Sequence, residues 1–118
     1  MSESKTDAPR LRLRILFGDD AMLGPGKADL LERIRQTGSI AAAGRTMGMS
    51  YKRAWSLVEE MNRFFRDPLV SSARGGASGG GASFTQAGEQ VLSLYRAIED
   101  ETAAANAGRI VALQSMLA

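Results

Sequence analysis

Cysteine and histidine are both absent from the chain. Without cysteine there is no disulfide, no thiolate nucleophile and no thiolate metal ligand. Without histidine the commonest general base and the commonest metal ligand are missing. No uninterrupted apolar run approaches the roughly 20 residues that span a bilayer. Met1 to Pro9 is polar and lacks the apolar core of a secretory signal, so the chain reads as cytoplasmic. No Gly-Lys-Ser/Thr follows the glycine tract, which excludes a phosphate-binding Walker loop. Asp19-Asp20 and Glu59-Glu60 are adjacent pairs whose side chains do not face one another on a helix, and they read as surface charges. Together these absences argue against an enzyme, a bound cofactor or a metal centre.

What is present fits one soluble domain. The chain has 118 residues, 44% of them hydrophobic and 24% charged, enough for a single ordinary core. The net charge of +2 says little, but its distribution is uneven. Arg45, Lys52, Arg53, Arg63, Arg66 and Arg74 face only Glu59, Glu60 and Asp67 in the same stretch. The C-terminal part, with Glu89, Glu99, Asp100 and Glu101, is acidic. A basic middle joined to an acidic end suits a molecule that lays one face on a polyanion.

Residues 1–9 read as a flexible tail, and residues 10–118 as one domain. Leu11, Leu13, Ile15 and Phe17 recur with the period of two expected of a half-buried strand. Arg10, Arg12 and Arg14 lie on the other side, solvated or meeting phosphate. Residues 18–26 read as a turn-rich connection with a Gly24-Pro25-Gly26 stop. Ala28 to Gln36 predicts a helix ended by Gly38. Ser39 caps a short second helix whose small residues, Ala41 to Ala43, allow close approach by another helix. Gly48 breaks it. Ser50 caps a third helix running to about Phe65, with Ala54, Leu57, Val58, Met61 and Phe65 toward the core. Residues 69–74 and 82–84 predict two short strands around a glycine tract, 75–81. Thr85 caps a fourth helix with an apolar stripe of Val91, Leu94, Tyr95 and Ile98, and helical spacing continues or restarts after Gly108. The fold class is therefore mainly α with a small β-hairpin.

The middle of this order, a short helix, a tight turn and a longer helix, is that of a helix-turn-helix, whose second helix presents its N-terminal side chains to the major groove. Those side chains are Ser50, Tyr51, Lys52, Arg53, Trp55 and Ser56: hydroxyls, a phenol, an indole and two cations, able to meet phosphates or bases. Lys52 and Arg53 are read as phosphate contacts, Ser50, Tyr51 and Ser56 as setting register. For Tyr51 and Trp55 two readings stand, core packing or an edge contact with DNA. Arg45 faces either water or DNA. The glycine tract is either a linker or the loop of a wing, with Arg74, Gly75 and Gly76 at its base.

Gly38-Ser39-Ile40, Ser50-Tyr51-Lys52-Arg53-Ala54-Trp55, Glu60-Met61-Asn62, Arg74 with the glycine tract, and Phe84-Thr85-Gln86-Ala87-Gly88 resemble the N-terminal DNA-binding domain of the ModE family, over roughly residues 10–105. The resemblance implies a molybdate-responsive transcriptional regulator with a winged helix-turn-helix like that of LysR-type regulators. It implies a homodimer formed through the N-terminal strand and the first and last helices, with double-stranded DNA as partner. Nothing here looks like the oxyanion-sensing domain that full-length members carry, so the chain reads as either a short member or a truncation, and molybdate is not expected to bind it. Two other readings stay open: a winged helix that binds protein, and a small oxyanion sensor.

Overall fold

The computed structural model describes residues 8–72 and 81–118. Five helices dominate: α1 (Pro25–Thr37), α2 (Ile40–Thr46), α3 (Tyr51–Phe64), α4 (Gln86–Ala105) and α5 (Ala107–Gln114). Two antiparallel hairpins accompany them, β1 (Ile15–Phe17) with β2 (Ala21–Leu23), and β3 (Val70–Ser72) with β4 (Ala82–Phe84). The expected helical majority is there, and so is the hairpin between α3 and α4. Residues 1–7 of the expected tail, and Arg74, Gly75, Gly76 and the loop up to Gly80, lie outside the described residues.

The first hairpin is an addition to what the sequence suggested. Only Ile15–Phe17 of the alternating N-terminal run is strand, and it pairs with residues expected to be irregular, in the register Ile15↔Leu23 and Phe17↔Ala21. The reversal uses Gly18 in the left-handed region, at φ 71°. A second correction concerns Pro25. It stands in the first turn of α1 and does not stop the chain, because a helix's first N–H has no partner to lose and proline's fixed φ suits that place.

The helix ends follow local chemistry. The Ser39 hydroxyl accepts the Ala42 N–H at 3.0 Å, Ser50 accepts that of Arg53 at 3.1 Å, and Thr85 accepts that of Gly88 at 3.0 Å. Each satisfies a donor that the helix itself cannot. Gly38 closes α1 at φ 70°, its N–H donating to the Ile34 carbonyl at 2.8 Å. The Gly38 carbonyl then accepts the Ala82 N–H at 2.9 Å, so β4 hangs from the corner between α1 and α2.

Leu30, Leu31 and Ile34 of α1, Ala43 of α2, Ala54, Val58 and Met61 of α3, Leu69, and Leu92 and Tyr95 of α4 form the buried core. Each large side chain so buried contributes roughly 1.5–3 kcal/mol. Leu57 and Phe65, expected in the core, are only partly buried against it. The α4 stripe is also corrected. Leu92 and Tyr95 are buried, whereas Leu94 is 61% and Ile98 42% exposed. At about 100° per residue, Val91, Leu94 and Ile98 make a second stripe, rotated about a quarter of a turn from the one on the core.

A buried or half-buried polar framework locks the helices together. Arg96 of α4 reaches Asp29 at 2.9 Å and Glu32 at 2.7 Å on α1, and Glu99 at 2.9 Å on its own helix. Partial burial works against its charge, but the bonds to Asp29, Glu99 and Glu32 more than offset this and hold the guanidinium above its ordinary pKa. Lys27, nearly buried, donates to the Met22 carbonyl at 3.2 Å, pairs with Glu60 at 3.6 Å and stands 5.2 Å from the centre of the Phe64 ring.

Candidate nucleic-acid interface

Helix α2 crosses α3 at very close range. A Cβ on Gly44 would lie 2.9 Å from the Ala54 Cβ, so only a glycine opposite an alanine permits the approach. Between the helices, the Gly44 carbonyl accepts the N–H groups of both Met47 and Met49 at 3.0 Å, and Gly48 turns the chain at φ 72°. Asn62 fixes the far end of α3. Its carbonyl oxygen accepts the Leu69 N–H at 2.8 Å and the Val70 N–H at 3.3 Å, and its amide donates to the Val70 carbonyl at 2.9 Å. The side chain substitutes for a neighbouring strand and sets the angle between α3 and β3.

Held at both ends, α3 divides its residues by direction. Ala54, Val58 and Met61 point inward. Lys52 and Ser56, four apart and both exposed, share the face farthest from the core, with Glu59 and Arg63 farther along it. Tyr51 is 57% exposed. Trp55 is half-buried and packs against the core cluster, leaving part of the ring at the surface. Arg53 lies on the opposite flank, with Leu57 and Glu60 (toward α1). Ser50 is exposed; its oxygen already accepts from Arg53, and its O–H remains able to donate. Arg45 is exposed in the last turn of α2, on the helix preceding the turn.

The structure thus brings Ser50, Tyr51, Lys52, Arg53, Trp55 and Ser56 onto the first two turns of one helix. It separates Arg53 from Lys52 by direction. Arg66 lies 3.9 Å from Asp67, an exposed pair of little energetic weight. The residues that aim this surface, Asn62, Gly44 and Lys27, were not singled out as positioning groups from sequence. Asn62 alone carried a signal, a hydrogen-bonding side chain on the inward flank of an otherwise apolar helix face. Among the described residues no group of acidic side chains could hold a metal ion, and no helix is long and apolar enough to cross a membrane.

No protein-family model matches the chain. Curated proteins are nevertheless similar to it over most of its length. The molybdenum-pterin-binding protein MopB of Rhodobacter capsulatus is 48% identical over 85 residues, 72% of this chain and 32% of MopB. MopA of the same organism is 42% identical over 65% of this chain and 29% of its own length. The DNA-binding transcriptional dual regulator ModE of Escherichia coli K12 is 41% identical over 68% of this chain and 29% of its own length. Identity at this level over some 80 residues makes the chain a homologue of the ModE, MopA and MopB proteins. The chain spans about a third of the length of the curated relatives it matches.

Proposed function

We propose that this chain is a ModE-like transcriptional regulator's DNA-binding unit, a winged helix-turn-helix that docks on double-stranded DNA. In this reading α2 and α3 are the two helices of the motif, α3 enters the major groove, and the β3–β4 hairpin is the wing. The observation that carries it is the pairing of Lys52 and Ser56 on the outward face of α3, within its first two turns, on a helix fixed at both ends. An ammonium and a hydroxyl there meet phosphate and base edges. Tyr51 and the exposed part of Trp55 flank them. Arg45, Arg74, Gly75 and Gly76 complete the proposed contact set. The ModE relatives, named as transcriptional regulators, support the same assignment.

The unit acts as a homodimer. Val91, Leu94 and Ile98 on α4 continue into Ile15, Phe17 and Phe65 as one apolar cleft of about 180 Å³. Beyond it α5 exposes Val111 and Leu113, and the residues that follow it expose Met116 and Leu117. An exposed apolar surface of this kind marks an association site. A two-fold pairing through it would offer two recognition helices to successive major grooves, about 34 Å apart.

Fluorescence anisotropy with labelled random and palindromic duplexes, across a salt series, tests the reading. Affinity that falls steeply with salt, with a sequence preference surviving at physiological salt, is the expected result. A folded protein that binds no duplex would instead make this a protein-interaction module. A second reading, oxyanion binding, draws on the similarity to MopA and MopB, which are molybdenum-pterin-binding proteins. A melting temperature that rises with molybdate concentration would support it.

A further inference from the structure

A second cationic feature lies beside α3, on the flank that Arg53 faces. Arg14, the first turn of α1 and the Arg53 side of α3 enclose a cleft of about 500 Å³. Its floor is apolar, formed by Met22, Met49 and Leu57, and its charged groups are Arg14, Arg53, Lys27 and Glu60. Lys27 and Glu60 are 3.6 Å apart and neutralise one another. Arg14 and Arg53 are exposed, and neither is paired with a carboxylate among the described residues. The cleft therefore has a net positive wall of two guanidinium groups.

Arg14 is seated there by a specific fit. A Cβ on Gly24 would lie 3.0 Å from Cγ and 3.6 Å from Cδ of Arg14, so the missing side chain leaves a bed for the arginine stem. The stem is covered and the charged head stays at the surface. A solvated strand face would not require such a bed.

We infer that Arg14 and Arg53 each hold a DNA backbone phosphate at the rim of the groove that α3 enters. The inference rests on the proposed DNA-binding reading and extends it to the N-terminal segment. The planar guanidinium forks match phosphate oxygens and keep their charge at any physiological pH. The cleft is far larger than one tetrahedral oxyanion and its cations are exposed, so a free anion would remain largely hydrated. A phosphodiester is delivered by the rest of the interface and needs no enclosure. Lys52 and Ser56 then meet the groove, while Arg53, about 100° around the helix, meets its edge. Such a contact sets register and carries no sequence information.

The test is a salt series with random and palindromic duplexes for Arg14→Met and Arg53→Met. Methionine keeps an aliphatic stem over Gly24 and removes the charge. Each variant is expected to lower the slope of log K against log salt by about 0.9, a loss of about fivefold at physiological salt, equally on every sequence. A folded Arg14→Met protein with the wild-type slope overturns the inference and leaves the DNA-binding reading standing. A loss confined to one sequence overturns it too, as a base contact. If the wild type shows no salt-dependent duplex binding, the broader reading fails as well. Thermal melts with inorganic phosphate and with molybdate form the other arm. A saturable stabilisation of the wild type that Arg14→Met abolishes assigns the cleft to a free oxyanion and overturns the DNA assignment. Should Arg14→Met not fold, Arg53→Met carries the same test, and Arg14→Lys is expected to keep the slope.

Discussion

The Tyr95 hydroxyl donates to the Leu13 carbonyl at 2.6 Å, joining α4 to a segment 82 residues earlier in the chain. Tyr95 is 1% exposed. Burial above all, and then the neighbouring Glu99 carboxylate, raise its pKa above the ordinary 10.0, with Arg96 and Arg12 pulling weakly the other way.

Replacing this tyrosine therefore has two separable effects. Tyr95→Phe removes one hydrogen bond and is expected to cost about 1 kcal/mol at neutral pH. The raised pKa adds a pH dependence. Above pH 10.0 the unfolded phenol ionises more readily than the folded one, so the stability held below that pH is lost as pH rises toward the folded value. Urea denaturation of wild type and Tyr95→Phe, from neutral pH to above pH 10, should show curves that converge at the alkaline end.

At the α2–α3 crossing, helix propensity and packing oppose one another. Gly44→Ala gains about 1 kcal/mol of propensity. The new Cβ would sit 2.9 Å from that of Ala54, and overpacking costs roughly 1–3 kcal/mol. Packing is expected to win, with a lower melting temperature. Adding Ala54→Gly should recover part of the loss, because it removes the atom that is struck. A double variant less stable than the sum of the singles would refute the contact.

Lys52→Ala tests the outward face of α3. It should change stability by no more than about 0.5 kcal/mol, the range of ordinary surface substitutions. It should lower the salt slope of duplex binding by about 0.9. An unchanged slope would remove Lys52 from the interface.

Leu94→Glu combined with Ile98→Glu tests the second stripe of α4. Both side chains are exposed in the single chain, so the variant should remain folded. Sedimentation velocity should show a dimer for the wild type and a monomer for the variant, with weaker binding to a palindromic duplex. A variant that stays dimeric would move the interface elsewhere.

How much of this was legible depended on range. The caps at Ser39, Ser50 and Thr85 and the stop at Gly38 were readable because each satisfies a backbone group within four residues. The first two turns of α3 were readable for the same reason, since Ser50 fixes where the helix begins. Strand β2 was not, because three residues owe their state to a partner strand and not to their own pattern. The α4 stripe failed differently. Leu92 and Leu94 are both leucines on one helix, and only the position of α1 decides which is buried. Arg96 and its α1 partners are 64 and 67 residues apart, so no local pattern announces them. The Arg14 cleft belongs to the same class: its charges come from α1, α3 and the segment before β1.

Asn62 gives one side chain control over the angle between α3 and β3. Because its amide both accepts from the strand and donates to it, those two elements have little relative freedom to lose when a partner engages them. Association would therefore spend less entropy on ordering the surface, and the specificity of α3 would come with a shape set before contact, as in a rigid key and not a mitten.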